Sequence, residues 1–150
     1  MRSGCSAQDG RRSGGPKRLI APFAVLNAAR GGQNLRVVND QRGSPTYTCD
    51  LAEQSMRILD ARRFGTYHVT NSGWCTWYDL AARAVEWAGI QGILVTPVTT
   101  AEFPRPAPRP ANSVLANKRL ECEGLPPLRP WQAAVQEYIR CLQRPNQAKN

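Results

Sequence analysis

The 150-residue chain has one histidine, three phenylalanines and no Cys-x-x-Cys pair among its five cysteines (Cys5, Cys49, Cys75, Cys122, Cys141). A zinc site therefore has few candidate ligands, and an odd number of thiols cannot pair completely; they read as the reduced thiols of a cytoplasmic protein. Ser-His-Asp or Cys-His catalysis would have to run through His68, in the strand-like stretch Thr66-Tyr67-His68-Val69-Thr70. A lone strand histidine is more often structural than catalytic. No Gly-x-Gly-x-x-Gly or Gly-x-x-Gly-x-x-Gly occurs, so no dinucleotide fingerprint is visible. No run approaches the ~20 apolar residues of a bilayer span, and the N-terminus lacks the apolar core of a signal peptide, so no membrane partner is expected.

Positive charge is plentiful but uneven. The formal charge is +9. Residues 1–36 hold seven Arg or Lys against Asp9, a net +6, which leaves only +3 for the other 114 residues. The excess belongs to a leader, 1–18, that is Gly, Ser and Arg with almost nothing to bury and is expected to be disordered. A solvated tail is the favoured reading over nonspecific phosphate contact, so nucleic acid is not an expected partner. Residues 19–143 form the expected folded unit, and 144–150 a disordered tail. A chain of this length buries about 70% of its unfolded surface, enough for one domain with a core.

Within that unit, Leu19, Ile20, Phe23, Leu26 and Asn27 approximate a helical stripe ended by Gly31-Gly32, with Pro22 close to the start. Leu35-Arg36-Val37-Val38 predicts a strand ending at Asn39. Leu51, Ala52, Ser55, Met56, Ile58 and Leu59 predict an amphipathic helix, N-capped by Thr48 or Asp50. A short strand is expected at 66–70. Thr76 with Asp79 resembles a capping box, and Trp77, Leu80, Ala81, Ala84, Val85 and Ala88 form a helical stripe closed by Gly89. Residues 93–99 predict a strand that Pro97 confines to an edge or an irregularity. A turn and a helical turn follow at 113–120, and a last helix begins near Pro130 with Trp131, Ala134, Val135, Tyr138, Ile139 and Leu142 as core. The order is α/β, with three short strands in a small sheet.

Two stretches carry binding chemistry. In Asn39-Asp40-Gln41-Arg42-Gly43-Ser44-Pro45-Thr46, Gly43 permits a turn or close approach, and Pro45 fixes its own φ while holding Ser44 extended. Spacing alone favours a strand-to-helix connection over a binding loop. Phe103-Pro-Arg-Pro-Ala-Pro-Arg-Pro110 is a stiff, extended, cationic loop. It is either a polyproline connector or a device presenting Arg105 and Arg109 to an anion such as pyrophosphate, and composition does not decide between them.

Together these stretches resemble a family. Val37 to Thr48 followed by Asp50-Leu51-Ala52 looks like the signature of the dTDP-4-dehydrorhamnose reductases, of the extended short-chain dehydrogenase/reductase superfamily. Gly65 to Asn71, the Pro/Arg loop through Ser113-Val114-Leu115, and Leu128-Arg129-Pro130-Trp131 agree in order and spacing, from about Phe23 to Leu142. The resemblance implies the C-terminal substrate-binding portion, a small sheet with packed helices, with the N-terminal Rossmann domain absent. It implies NADPH-dependent reduction of dTDP-4-dehydro-L-rhamnose to dTDP-L-rhamnose for cell-surface polysaccharide, with NADPH and a Tyr-x-x-x-Lys pair belonging to that other domain. Four residues after Tyr47, Tyr67, Tyr78 and Tyr138 come Leu51, Asn71, Ala82 and Leu142, so the pair is missing from this chain. A truncated or frame-shifted product with an unrelated leader, inactive alone and binding no cofactor alone, is the expectation. The alternative is a non-catalytic module for a nucleotide-sugar or a partner, either a separately encoded Rossmann chain or a second copy. No catalytic or metal residue carries over. Gln41, Gly43, Pro45 and Thr46, at the mouth of the substrate cleft, carry over as substrate-binding residues, as do Arg105 and Arg109, facing the nucleotide diphosphate or deoxyribose; dTDP-sugar binding is expected to be weak.

Overall fold

The computed structural model describes residues 22–103 and 106–144. The leader 1–18, the tail beyond Arg144 and Arg105 lie outside the described residues.

Helix α1 (Pro22–Arg30) begins at a proline, whose missing N–H costs nothing in a first turn. It ends where Gly32, at φ +75°, lets the Gln33 N–H reach the Ala28 carbonyl at 3.1 Å. Strand β1 (Leu35–Val38) follows, then β2 (Arg42–Gly43), α2 (Thr48–Asp60), β3 (Asn71–Ser72), β4 (Cys75–Thr76), α3 (Trp77–Trp87) and β5 (Val95–Val98). Helix α4 (Lys118–Cys122), β6 (Leu128–Pro130) and α5 (Trp131–Gln143) complete the order.

The strands do not form one small sheet. They form three two-stranded pairs: β1 with β5 parallel, β2 with β4 antiparallel, and β3 with β6 parallel. Pro97 sits opposite Val37 inside β5. Leu94 and Val98 supply the carbonyls that receive the Leu35 and Asn39 N–H groups, so even-numbered residues face β1 and the missing N–H of Pro97 falls on the outer edge.

Helix α3 holds the core together. Its N-cap Thr76 accepts the Asp79 N–H at 3.0 Å while the Asp79 carboxylate accepts the Thr76 N–H, the reciprocal capping box read from the sequence. One face of α3, Leu80 and Ala84, packs with Leu26, Cys75, Trp131, Val135 and Ile139. The adjoining face, Ala81 and Val85, packs with Val25, Ala29 and Leu35. Gly89, at φ +69°, closes the helix with the Ile90 N–H on the Val85 carbonyl. Helix α5 buries Trp131, Ala134, Val135 and Ile139 of its expected stripe, with Tyr138 and Leu142 at its margin.

Three further expectations need correction. Neither Thr48 nor Asp50 is the N-cap of α2; Tyr47 is, without a side-chain bond, because Asp50 is engaged elsewhere. The apolar stripe of α2 does not face the core: Leu51, Ala52, Ser55, Met56 and Leu59 are exposed, Leu59 to 62%, while the opposite face buries Gln54 at 2%. Residues 66–70 are extended but not a strand, since side chains of α4 take their backbone groups. Arg119 donates to the carbonyls of Phe64 and Thr66, and the Asn117 amide both accepts from the Thr70 N–H and donates to the Thr70 carbonyl. His68 lies exposed in this segment.

Candidate functional site

The opening loop and the end of the Pro/Arg loop are zipped together. The Arg42 N–H donates to the Ala111 carbonyl at 2.8 Å, and the Arg42 carbonyl accepts from both the Ser113 N–H and the Ser113 hydroxyl at 2.9 Å. On its other side β2 pairs with β4, Arg42 opposite Thr76 and Gly43 opposite Cys75. A methyl group on Gly43 would meet Ser113 Oγ at 3.3 Å, so the two loops pass closely here and a side chain at 43 would need Ser113 to shift by a few tenths of an ångström.

Gln41 is buried, and its amide donates to the Thr100 hydroxyl at 2.9 Å. That hydroxyl in turn donates to Asp40 at 2.6 Å. Bonds from the Thr100 hydroxyl and then its N–H hold the Asp40 carboxyl below its ordinary pKa, so the loop base carries a fixed negative charge. One of the two Gln41 amide N–H groups is thus committed to bracing the loop. Pro45 and Thr46 are half-buried, and the Thr46 hydroxyl donates to the Ser44 carbonyl at 3.2 Å. The Ser44 hydroxyl is buried without a hydrogen-bond partner. Arg109, half-buried two residues before Ala111, has no hydrogen bond or ion pair among the described residues. Five of the six expected residues are therefore described: Gly43 lies against Ser113, Gln41 is turned to Thr100 instead, Pro45 and Thr46 continue along the loop toward α2, and Arg109 lies just upstream of the zipper. Arg105 lies outside the described residues.

The spacing of the sequence did not single out Arg42, Trp74 or Ser113. Arg42 stacks on the half-exposed Trp74 ring, 4.5 Å from its centroid. The signal available was the motif itself, in which Arg42 separates Gln41 from Gly43.

Behind Pro45 and Thr46 the loop is anchored by a polar hub. Asn71, 1% exposed, accepts the Tyr47 N–H at 2.8 Å and donates to Asp50 at 2.7 Å and to the Arg129 carbonyl at 3.0 Å. Arg129 grips both oxygens of Asp50, at 2.7 and 2.9 Å, and also pairs with Glu137 on α5. Burial would raise the pKa of Asp50, but the bonds from Arg129 and Asn71 outweigh it and hold the carboxyl low. A polar cavity of about 370 Å³ opens here, lined by residues that include Asp50, Arg57, Arg129 and Glu137. None of Gln41, Gly43, Pro45, Thr46 or Arg109 lines it.

Burial, and then the nearby Asp79 carboxylate, push the Cys75 thiol up to about 12. The four cysteines among the described residues are free thiols, and no group of three His, Cys, Asp or Glu among those residues is placed to hold a metal ion. No helix there is long and apolar enough to cross a membrane.

Residues 20–144 match the family described as the RmlD substrate binding domain. The chain is 48% identical over 124 residues to a probable dTDP-4,6-dihydroxy-2-methyloxan-3-one 4-ketoreductase of Streptomyces antibioticus, covering 80% of this chain and 41% of that protein. Its fold superposes on a dTDP-4-dehydrorhamnose reductase of Clostridium acetobutylicum with a TM-score of 0.78 at 43% identity, covering 81% of this chain and 43% of the other. A dTDP-4-dehydrorhamnose reductase of Bacillus anthracis, solved in complex with NADP, gives 0.76 at 28% identity over 86% of this chain and 44% of the other. The chain spans about two fifths of the length of the curated relatives it matches.

Proposed function

The chain belongs to the RmlD substrate binding domain family, and from that premise we propose that it forms the nucleotide-sugar-binding side of a dTDP-4-dehydrorhamnose reductase. Its work is to hold dTDP-4-dehydro-L-rhamnose while NADPH-dependent reduction takes place on residues it does not itself supply, in the cytoplasm. The folded unit assigned to this task is 19–143. The observation that carries this reading is the joining of two distant motifs: Arg42 on one loop, next to Gly43, clamped to Ala111 and Ser113 at the end of the other. The substrate residues assigned are Gln41, Gly43, Pro45, Thr46, Arg105 and Arg109, the arginines for the diphosphate because a guanidinium fork suits phosphate oxygens.

The residues described do not fit a dinucleotide. The passages from strand into helix, Gly43 to Thr48, Thr76 to Trp77 and Pro130 to Trp131, hold one glycine among them, and its close neighbour is Ser113. With no Tyr-x-x-x-Lys pair in the sequence either, the hydride step is not assigned to this chain. Calorimetry with dTDP and dTDP-L-rhamnose tests the binding claim: saturable binding at millimolar or tighter concentration is expected, and no heat of binding would refute it. NADPH oxidation by the purified chain with dTDP-4-dehydrorhamnose would refute the assignment of chemistry elsewhere.

A second observation favours an assembly role alongside binding. Leu51, Met56 and Leu59 share the exposed face of α2, and Phe64 beside it is 82% exposed. Exposed apolar side chains gathered on one helix face mark an interaction surface. We assign it to a cofactor-binding body, with self-association through the same face as the competing outcome. Light scattering separates them: a concentration-dependent dimer abolished by Leu59→Glu would identify self-association.

A further inference from the structure

We propose that Arg42, held against Trp74, is the residue that captures a phosphate of the nucleoside diphosphate group; the inference rests on the nucleotide-sugar reading above and assigns a residue that reading did not include.

The root of the Arg42 side chain is fixed on both sides. Three hydrogen bonds of 2.8–2.9 Å tie its backbone to Ala111 and Ser113, and β4 flanks it across Thr76. The head is fixed as well, with its guanidinium carbon 4.5 Å from the Trp74 ring centroid. Stacking on an indole leaves the N–H groups in the guanidinium plane free for an anion, and it removes much of the rotamer entropy that an exposed arginine loses on binding. Six other arginines, Arg36, Arg57, Arg63, Arg83, Arg119 and Arg129, already pair with carboxylates. Arg42 and Arg109, like Arg30, Arg62, Arg140 and Arg144, have no carboxylate partner among the described residues, but of these only Arg42 is bonded into the loop junction, with Arg109 two residues before its partner Ala111. A placed, unneutralised guanidinium suits a phosphate of a diphosphate, and Asp40, with its carboxylate bound to Thr100, does not neutralise it.

The test compares dTDP with thymidine on the isotope-labelled full chain, followed by amide and indole resonances, in wild type, Arg42→Ala, Arg42→Lys and Trp74→Leu. Wild type is expected to bind dTDP, with the Trp74 indole resonance among those that shift. Arg42→Ala is expected to lose about tenfold in dTDP affinity, the size of one charge-assisted bond, with thymidine affinity unchanged. Arg42→Lys should recover part of the loss, and Trp74→Leu should weaken dTDP less than Arg42→Ala does. Binding of dTDP by Arg42→Ala at wild-type strength would overturn the proposal while leaving the nucleotide-sugar reading intact. Equal losses for dTDP and thymidine would mark Arg42 as structural and also overturn it. Absence of saturable dTDP binding by wild type would overturn both.

Discussion

Helices α3 and α2 are both amphipathic in sequence, yet one buries its apolar stripe and the other displays it. Helix α3 carries its own cap, a glycine terminator and four buried apolar residues between α1, β1 and α5. Helix α2 buries Gln54 and points Met56 and Leu59 outward, and it is held through its first turn by Asp50 on Arg129 and Asn71. Amphipathic spacing specifies that a helix has an apolar face, not which body covers it. For α3 the cover is this chain's own core. For α2 the cover is, on our reading, another body, and polar anchoring takes the place of packing.

Truncations against α3 and on the open face of α2 should separate most sharply. Leu26→Ala or Ile139→Ala, each fully buried against α3, is expected to cost about 2–5 kcal/mol in denaturant unfolding. Leu59→Ala on the open face of α2 should stay within about 0.5 kcal/mol. Comparable losses would mean that α2 is packed after all.

Next in size is the anchor. Arg129→Ala leaves the part-buried Asp50 carboxylate without its bidentate partner and should cost about 1–3 kcal/mol, with amide exchange rising through the first turns of α2 and little in α3. Uniform acceleration of exchange across both helices would erase the distinction. The same pair predicts an acid response. Because the folded-state pKa of Asp50 is depressed, its contribution is fully present above the ordinary carboxylate pKa near 4 and is lost as pH falls through the lowered folded value. Exchange protection of α2 should therefore fade below about pH 4, ahead of α3. Simultaneous loss in both helices would count against the anchor.

Smaller still, Thr76→Ala removes the cap of α3 and should cost about 1 kcal/mol. Gln54→Leu replaces a side chain whose amide nitrogen is buried without a partner, and a gain of about 1 kcal/mol is expected in the melting of the isolated chain. A loss there would show that the polar group is satisfied in solution.

Local rules carried much of this fold. Pro22 and Gly32 around α1, Thr76 with Asp79, Gly89, and the stripe of α5 lie where propensity and packing agree. The errors share a cause. Residues 66–70 have strand composition, but a ladder needs a neighbouring strand, and here Asn117 and Arg119 side chains satisfy the backbone instead. The division into three strand pairs depended on contacts such as Asn71 with Leu128, far apart in sequence and too short to leave a periodic trace. The two loops that hold Gly43 and Arg109 were legible from chemistry and from the family pattern. The clamp of Arg42 by Ser113 and its stacking on Trp74 were not, because each needs residues brought together across 30 or more positions. Gln41 was read as a ligand contact, and its amide proves to be partly committed to Thr100.

The central claim is that the loop junction binds a dTDP-sugar, and a residue-resolved titration of the full chain with dTDP-L-rhamnose tests it most directly. Saturable shifts gathered at residues 41–46 and 109–113, with α5 and the cavity beside Arg129 unaffected, are the predicted result. Absence of saturation, or shifts confined to the cavity around Asp50, Arg57 and Glu137, would contradict it.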